Sequence, residues 1–247
     1  AGSGNHIFVE EEDDLMAVFN NEFHDLMSVV AGDFSIHARV ADGVRPVRVL
    51  GTKADITGRD IYIPLAQLYS NQKRYFVLEV EVDAGKAETT QPLLSVEVEY
   101  QNMVTETTDK LSSSVEVRFA DAIAQVNEDR DIETFAYCAV QIANEKNIRA
   151  TALRDAGQIE EAKKLLNENV VELRQCLLSC EENDVAFVVP ELELNINLNA
   201  AQATMVEGKE WNRSRKSMRA KQYEVQSQQL RTAVPKLNLG SGSSSSK

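Results

Sequence analysis

Phe34-Ser35-Ile36-His37-Ala38-Arg39-Val40 alternates apolar and polar side chains without interruption. A period of two places Phe34, Ile36, Ala38 and Val40 on one face of an extended strand and Ser35, His37 and Arg39 on the other. The pattern recurs outward from it. Val47 and Val49 repeat it, as do Ile61, Ile63 and Leu65, then Phe76, Leu78, Val80 and Val82 set against Glu79 and Glu81. Leu94, Val96, Val98 and Tyr100 alternate with Ser95, Glu97 and Glu99, and Val115, Val117 and Phe119 close the series. Asp42-Gly43, Thr57-Gly58 and Ala84-Gly85 supply turns between these runs. Half-apolar strands at this spacing predict an antiparallel β-sandwich over residues 31–120, because a parallel sheet is covered on both faces and reads as continuous apolar runs.

Before the strands, Ile7-Phe8-Val9 is followed by five acids, Glu10 to Asp14, and by Leu15, Val18, Phe19, Phe23, Leu26, Met27 and Val30 at helical spacing. This reads as strand, acidic turn and helix within residues 1–30, with Asp13 or Asp14 as N-cap. After Phe119 the period becomes helical, and residues 121–235 are expected to be an α-helical region. Ile132, Phe135, Ala139, Ile142 and Ala143 make one stripe, and Ile159, Ala162, Leu166, Val170, Leu173 and Leu177 another, with Arg154-Asp155-Ala156-Gly157 as the turn of a helical hairpin. The turn is similar to that of tetratricopeptide hairpins, but no second copy follows at the period of about 34 residues that a solenoid needs. Leu192, Leu194, Ile196 and Leu198 alternate like a strand, whereas Leu194, Leu198, Ala201 and Met205 align as a helix starting at Pro190; the longer pattern favours the helix. The Gly/Ser tail, 236–247, has little to bury and is expected to be disordered. The fold class expected is thus α+β, a sandwich followed by a helical hairpin or bundle.

The 247 residues carry 39 Asp+Glu and 26 Lys+Arg, a net charge of −13, with 43% hydrophobic residues. No apolar run reaches the roughly 18 residues of a membrane span. The charge is uneven. Residues 209–247 hold 9 basic and 2 acidic residues, leaving 17 basic and 37 acidic ahead of them, a body of net −20. Such a body opposes nucleic acid and anionic lipid over most of its surface. Cys138, Cys176 and Cys180 form no paired framework and fix no compartment.

Catalytic constellations are hard to assemble. His6, His24 and His37 stand at no metal-ligand spacing, and no glycine-rich phosphate loop occurs. Cys176 and Cys180 share a helix face with Leu173 and Leu177 and read as buried apolar thiols. The acid run lacks the glycine and carbonyl positions that calcium loops interleave with carboxylates. No catalytic or metal-binding residue is assigned, and the chain is not expected to be an enzyme. One segment has a partner's signature: Lys209, Trp211, Arg213, Arg215, Lys216, Arg219 and Lys221, with Met218 and Tyr223, would make a cationic helix carrying aromatic side chains. It would either meet a polyanion, an anionic membrane surface or an acidic protein, or pack back on the acidic body with Trp211 as an anchor.

Gly4-Asn5-His6-Ile7-Phe8-Val9, Asp14-Leu15 and Phe19-Asn20-Asn21-Glu22-Phe23 resemble the last strand and last helix of a von Willebrand factor type A (VWA) domain, in the form common in secreted or surface bacterial proteins and some plant RING-type proteins. Val49-Leu50-Gly51, Asp60-Ile61-Tyr62-Ile63, Gln67-Leu68-Tyr69 and Arg74-Tyr75-Phe76-Val77-Leu78 look like the region beyond that domain, and the hairpin occupies the place of its C-terminal helices. The family's metal-ion-dependent adhesion site needs an Asp-x-Ser-x-Ser loop that coordinates Mg²⁺. Here the nearest match, Asp109-Lys110-Leu111-Ser112, has Leu111 where serine is required, so no metal residue carries over.

The resemblance implies that the chain, beginning at Ala1, is the downstream half of a longer protein cut within its VWA domain, with any Mg²⁺ held by the upstream portion and no cofactor of its own. It implies an adhesion or protein–protein interaction module that couples the rest of its VWA domain to a protein partner, with Phe19, Phe23 and Leu26 on the coupling helix. The alternative is attachment to a polyanion or membrane surface through 209–223. A secreted or cell-surface bacterial setting is favoured by the resemblance, and a cytoplasmic one also fits the cysteines.

Overall fold

A computed structural model describes residues 29–70 and 72–227. The strand expected at 7–9, the helix expected to carry Phe19, Phe23 and Leu26, and the tail at 236–247 lie outside them. The chain is a mixed α/β protein. Among the described residues seven strands run β1 (Val29–Val40), β2 (Val44–Leu50), β3 (Asp55–Thr57), β4 (Asp60–Tyr69), β5 (Val77–Val82), β6 (Thr90–Asn102) and β7 (Thr107–Arg118). Five helices follow: α1 (Ile123–Glu128), α2 (Ile132–Asp155), α3 (Ile159–Glu182), α4 (Val189–Met205) and α5 (Trp211–Ser227). The helix expected to run through Val30 does not include Val29 and Val30, two β-branched residues that open β1, with Val29 opposite Tyr69 of β4.

Every strand pair is antiparallel. One sheet has the order β3-β4-β1-β6-β7, and β2 pairs with β5 in a second. Ile36, Ala38 and Val40 of β1, Ile61 and Ile63 of β4 and Val44 of β2 are buried in one core, which Leu78, Val80 and Val82 of β5 join. The alternation in the sequence therefore selects the right face. Gly43 and Gly58 take φ of +77° and +61° in the turns into β2 and β4, where a side chain would be strained.

The helices bury two further cores. Val140 of α2, Leu173 of α3 and Leu192 of α4 lie in one; Ala150, Leu166, Ala203, Val206 and Met218 lie in the other, tying α2, α3, α4 and α5 together. α2 ends at Asp155, Gly157 adopts φ +83°, and α3 starts at Ile159. The stripe expected on α3 is the packed one: Ala162, Leu166, Val170 and Leu173 are buried.

The faces of α2 and α4 differ from expectation. Of the stripe expected on α2, Ala143 is buried and Ile132 and Ala139 pack on the core, but Phe135 and Ile142 are exposed, and α2 also buries Ala136 and Val140 beside Gln141, Asn144, Asn147 and Thr151. On α4 the aligned Leu194 and Met205 are 38% and 39% exposed, while Asn195, Asn199 and Gln202 are buried. Mutual hydrogen bonding makes this inversion affordable. Asn199 Oδ1 accepts from Asn147 Nδ2 at 2.9 Å and from Asn169 Nδ2 at 3.0 Å, and Gln222 Nε2 donates to Asn147 Oδ1 at 2.8 Å and Thr151 Oγ1 at 2.7 Å. A buried amide with partners avoids the desolvation penalty that polar burial otherwise carries.

Candidate interaction surface

The basic segment forms α5, and it packs on the chain itself. Met218, Gln222 and Val225 are buried, and Trp211 is half-buried against the core that holds Ala150, Leu166 and Met218. Asp155, at the end of α2, engages three of its side chains: Trp211 Nε1 donates to Asp155 Oδ1 at 2.7 Å, Arg215 reaches the same oxygen at 3.2 Å and Arg219 reaches Oδ2 at 3.3 Å. These donors hold the Asp155 carboxyl below its ordinary range, the Trp211 hydrogen bond first and the two arginines after it. The Arg154 guanidinium lies 5.1 Å from the Trp211 ring centroid and donates to the Val206 carbonyl at 2.6 Å. Lys221 pairs with Glu224 at 2.7 Å. Lys209, Arg213, Lys216 and Arg219 remain exposed on the outer side.

A second cluster joins the sheets to the helices, and composition gave no hint of it. In the segment before β5, Lys73 Nζ donates to Glu133 Oε1 and to Tyr137 Oη, both at 2.7 Å, and lies 4.3 Å from the Tyr137 ring centroid and 4.7 Å from that of Phe187. Burial works against the ammonium, but these hydrogen bonds outweigh it and hold it above its usual range. The Tyr75 ring packs tilted against Tyr137, with centroids 4.4 Å apart and the planes at 46°, and its hydroxyl donates to Glu191 Oε1 at 2.7 Å and accepts from Gln141 Nε2 at 3.3 Å. Burial raises the Glu191 carboxyl above its ordinary range, with Tyr75 and Lys73 opposing the shift. Arg48 of β2 bridges Glu79 of β5 and Glu145 of α2. Gly51 sits at φ +88°, where an added Cβ would lie 3.2 Å from Gln141 Cδ and 3.4 Å from the Tyr75 carbonyl oxygen. The only signal for this joint in the sequence is the run Lys73-Arg74-Tyr75-Phe76 just ahead of a strand.

The third feature is the inverted face of α4. Leu194, Leu198, Ala201 and Met205 follow one another at four, three and four residues, which places them within about 60° around the helix axis. Leu198 is half-buried and the others are exposed. With amides filling part of the inner face, this helix turns apolar side chains outward.

Chemistry-bearing residues stay apart. His37 lies exposed on β1, 3.1 Å from Asp60, which Arg39 also holds; His6 and His24 lie outside the described residues. Cys176 and Cys180 are buried, form no disulfide and share a hydrogen bond, and burial pushes the Cys176 thiol up to about 12. Among the described residues no three His, Cys, Asp or Glu side chains gather as a metal site, and no helix is long and apolar enough to cross a membrane. The residues nearest to an adhesion-site loop do not fit Mg²⁺. They lie in strand β7, so Asp109 and Ser112 point to opposite faces; Asp109 is held by Asn102 at 2.8 Å and Thr107 at 2.9 Å, and Lys110, between them, pairs with Glu99.

A von Willebrand factor type A protein from Catenulispora acidiphila matches 74% of this chain and 43% of its own with a TM-score of 0.52 at 11% identity. The chain folds like part of a VWA protein. The VWA2 paralogue of ArnB from Sulfolobus acidocaldarius is also similar, with a TM-score of 0.42 and 15% identity over 77% of this chain and 42% of that one. The chain thus spans less than half the length of these VWA structures, and the likeness is one of fold. No protein-family model and no curated protein sequence matches it.

Proposed function

We propose that this chain is a non-enzymatic protein–protein interaction module that positions a VWA domain and couples it to a protein partner. The observation carrying this reading is the outward apolar stripe of α4, Leu194, Leu198, Ala201 and Met205, on a helix whose inner face is partly amide. Apolar side chains aligned at helical spacing on the outside suit a partner's groove or helix better than water. The joint around Lys73 and Tyr75 complements it, because a module that relays orientation needs its layers fastened together. Phe19, Phe23 and Leu26 are the residues we assign to the coupling helix on the VWA side. The polyanion alternative draws less support, since Trp211, Arg215 and Arg219 are engaged by Asp155 and Lys221 by Glu224.

Photo-crosslinking residues placed singly at Leu198 and at Lys216 in the full-length protein test the proposal. One discrete protein adduct at Leu198, lost with Leu194→Asp while the far-ultraviolet circular dichroism is unchanged, is the expected result. Adducts only at Lys216, or adducts at Leu198 indifferent to Leu194→Asp, would overturn it.

A further inference from the structure

β7 is the long edge strand of the five-stranded sheet, the opposite edge being the three-residue β3, and it is paired to β6 along its whole length. Ten of its twelve residues are exposed. Leu111 and Val115 lie opposite Val98 and Leu94 of β6, on the face that carries the core, yet they are 59% and 46% exposed. The second sheet has only two strands, so the apolar face runs on past its cover. A long strand with open backbone groups and uncovered apolar side chains invites another strand.

The sequence of this edge says which one. Lys110-Leu111-Ser112-Ser113-Ser114-Val115-Glu116 is complementary to itself when reversed. Laid antiparallel against a second copy about an axis through Ser113, Lys110 faces Glu116 at both ends, Leu111 faces Val115 twice, and the serines face serines. Parity is respected. Leu111 and Val115 share the core face, whereas Lys110 and Glu116 share the outer one, so each pair meets on its own side of the joined sheet. Glu116 has no ion-pair partner among the described residues, and Lys110 holds only Glu99 on its own β6. Asp109 falls opposite Val117 and stays with Asn102 and Thr107. We propose that two copies of this chain associate edge to edge through β7, joining their five-stranded sheets into one antiparallel ten-stranded sheet with a twofold axis at Ser113. The contact is isologous, so one patch serves both partners and the assembly closes as a dimer. The net charge of −13 on each chain resists association at low ionic strength, which makes physiological salt the proper condition.

Sedimentation equilibrium of the intact chain near 0.15 M salt, with a charge-swap set, decides the matter. Glu116→Lys alone sets lysine against lysine at both ends of the contact, and Lys110→Glu alone sets acid against acid. Each is expected to weaken self-association by about tenfold or more. Mixing the two variants restores both pairs and should recover a dimer of mixed composition. A wild type that stays monomeric, or swaps that leave association unchanged, would overturn the proposal. Should Lys110→Glu not fold for want of its Glu99 pairing, Ser113→Cys decides independently: the two introduced thiols meet at the axis, and mild oxidation should cross-link the chains at this position and not at a control cysteine replacing Thr57 on β3. Absence of that cross-link would count against the dimer.

Discussion

Replacing Tyr75 by Phe isolates the joint between sheets and helices. The ring stays on Tyr137 and the backbone is untouched, so only the hydroxyl is lost, together with its 2.7 Å bond to Glu191 and its 3.3 Å bond from Gln141. A hydrogen bond to a charged group contributes about 1.5–3 kcal/mol. Glu191 keeps partial access to solvent, which favours the lower part of that range, and the longer Gln141 contact adds roughly 0.5 kcal/mol. The expected destabilisation at neutral pH is therefore about 2 kcal/mol, or a urea midpoint lower by about 1 M for a slope near 2 kcal/mol/M. The sign with pH follows. Tyr75 opposes the upward shift of the Glu191 carboxyl, so its loss matters most while Glu191 is ionised and fades as acid protonates the group. Urea unfolding at about pH 7 and pH 4, followed by circular dichroism and by the fluorescence of Trp211, measures both effects. A loss below about 0.5 kcal/mol at neutral pH, or an equal loss at both pH values, would refute the reasoning.

Glu191→Gln retains an acceptor for Tyr75 and removes a carboxylate whose raised pKa makes the folded state lose stability as pH climbs past the ordinary carboxyl range. The variant should melt higher than wild type at neutral pH, with the difference vanishing in acid. Asp155→Asn behaves oppositely: the wild type loses stability as pH falls below the ordinary carboxyl range towards the lowered folded pKa, and melting curves across that interval should flatten in the variant. Gly51→Ala forces a side chain into the left-handed region and against Gln141, for an expected loss of about 1–3 kcal/mol by denaturant titration.

Period-two alternation from Phe34 to Val117 marks six of the seven described strands, because antiparallel strands with one wet side leave that pattern directly; the short, exposed β3 leaves none. The α3 stripe is equally legible, since Leu166, Val170 and Leu173 lie in the apolar helical cores. Both α2 and α4 are legible as helices, the latter from Pro190, but their buried faces are legible only in part, for a physical reason. Asn147, Asn199 and Gln202 look like surface residues in a sequence, and only the fold brings the four helices close enough for these amides to satisfy one another. The same blindness hid the joint: Lys73 and Glu133 are sixty positions apart, and Tyr75 and Glu191 more than a hundred. The cationic helix was visible, but Asp155, the residue that engages three of its side chains, was read only as part of a turn.

A module that relays orientation must move as one body. The most direct measurement is a pulsed electron paramagnetic resonance distance between labels at Tyr62, on the five-stranded sheet, and Ser179, on α3. A single narrow distance distribution in the wild type, broadened by Tyr75→Phe combined with Lys73→Ala, is the result predicted. A broad or two-peaked distribution in the wild type would contradict a joint that fastens the sheets to the helices.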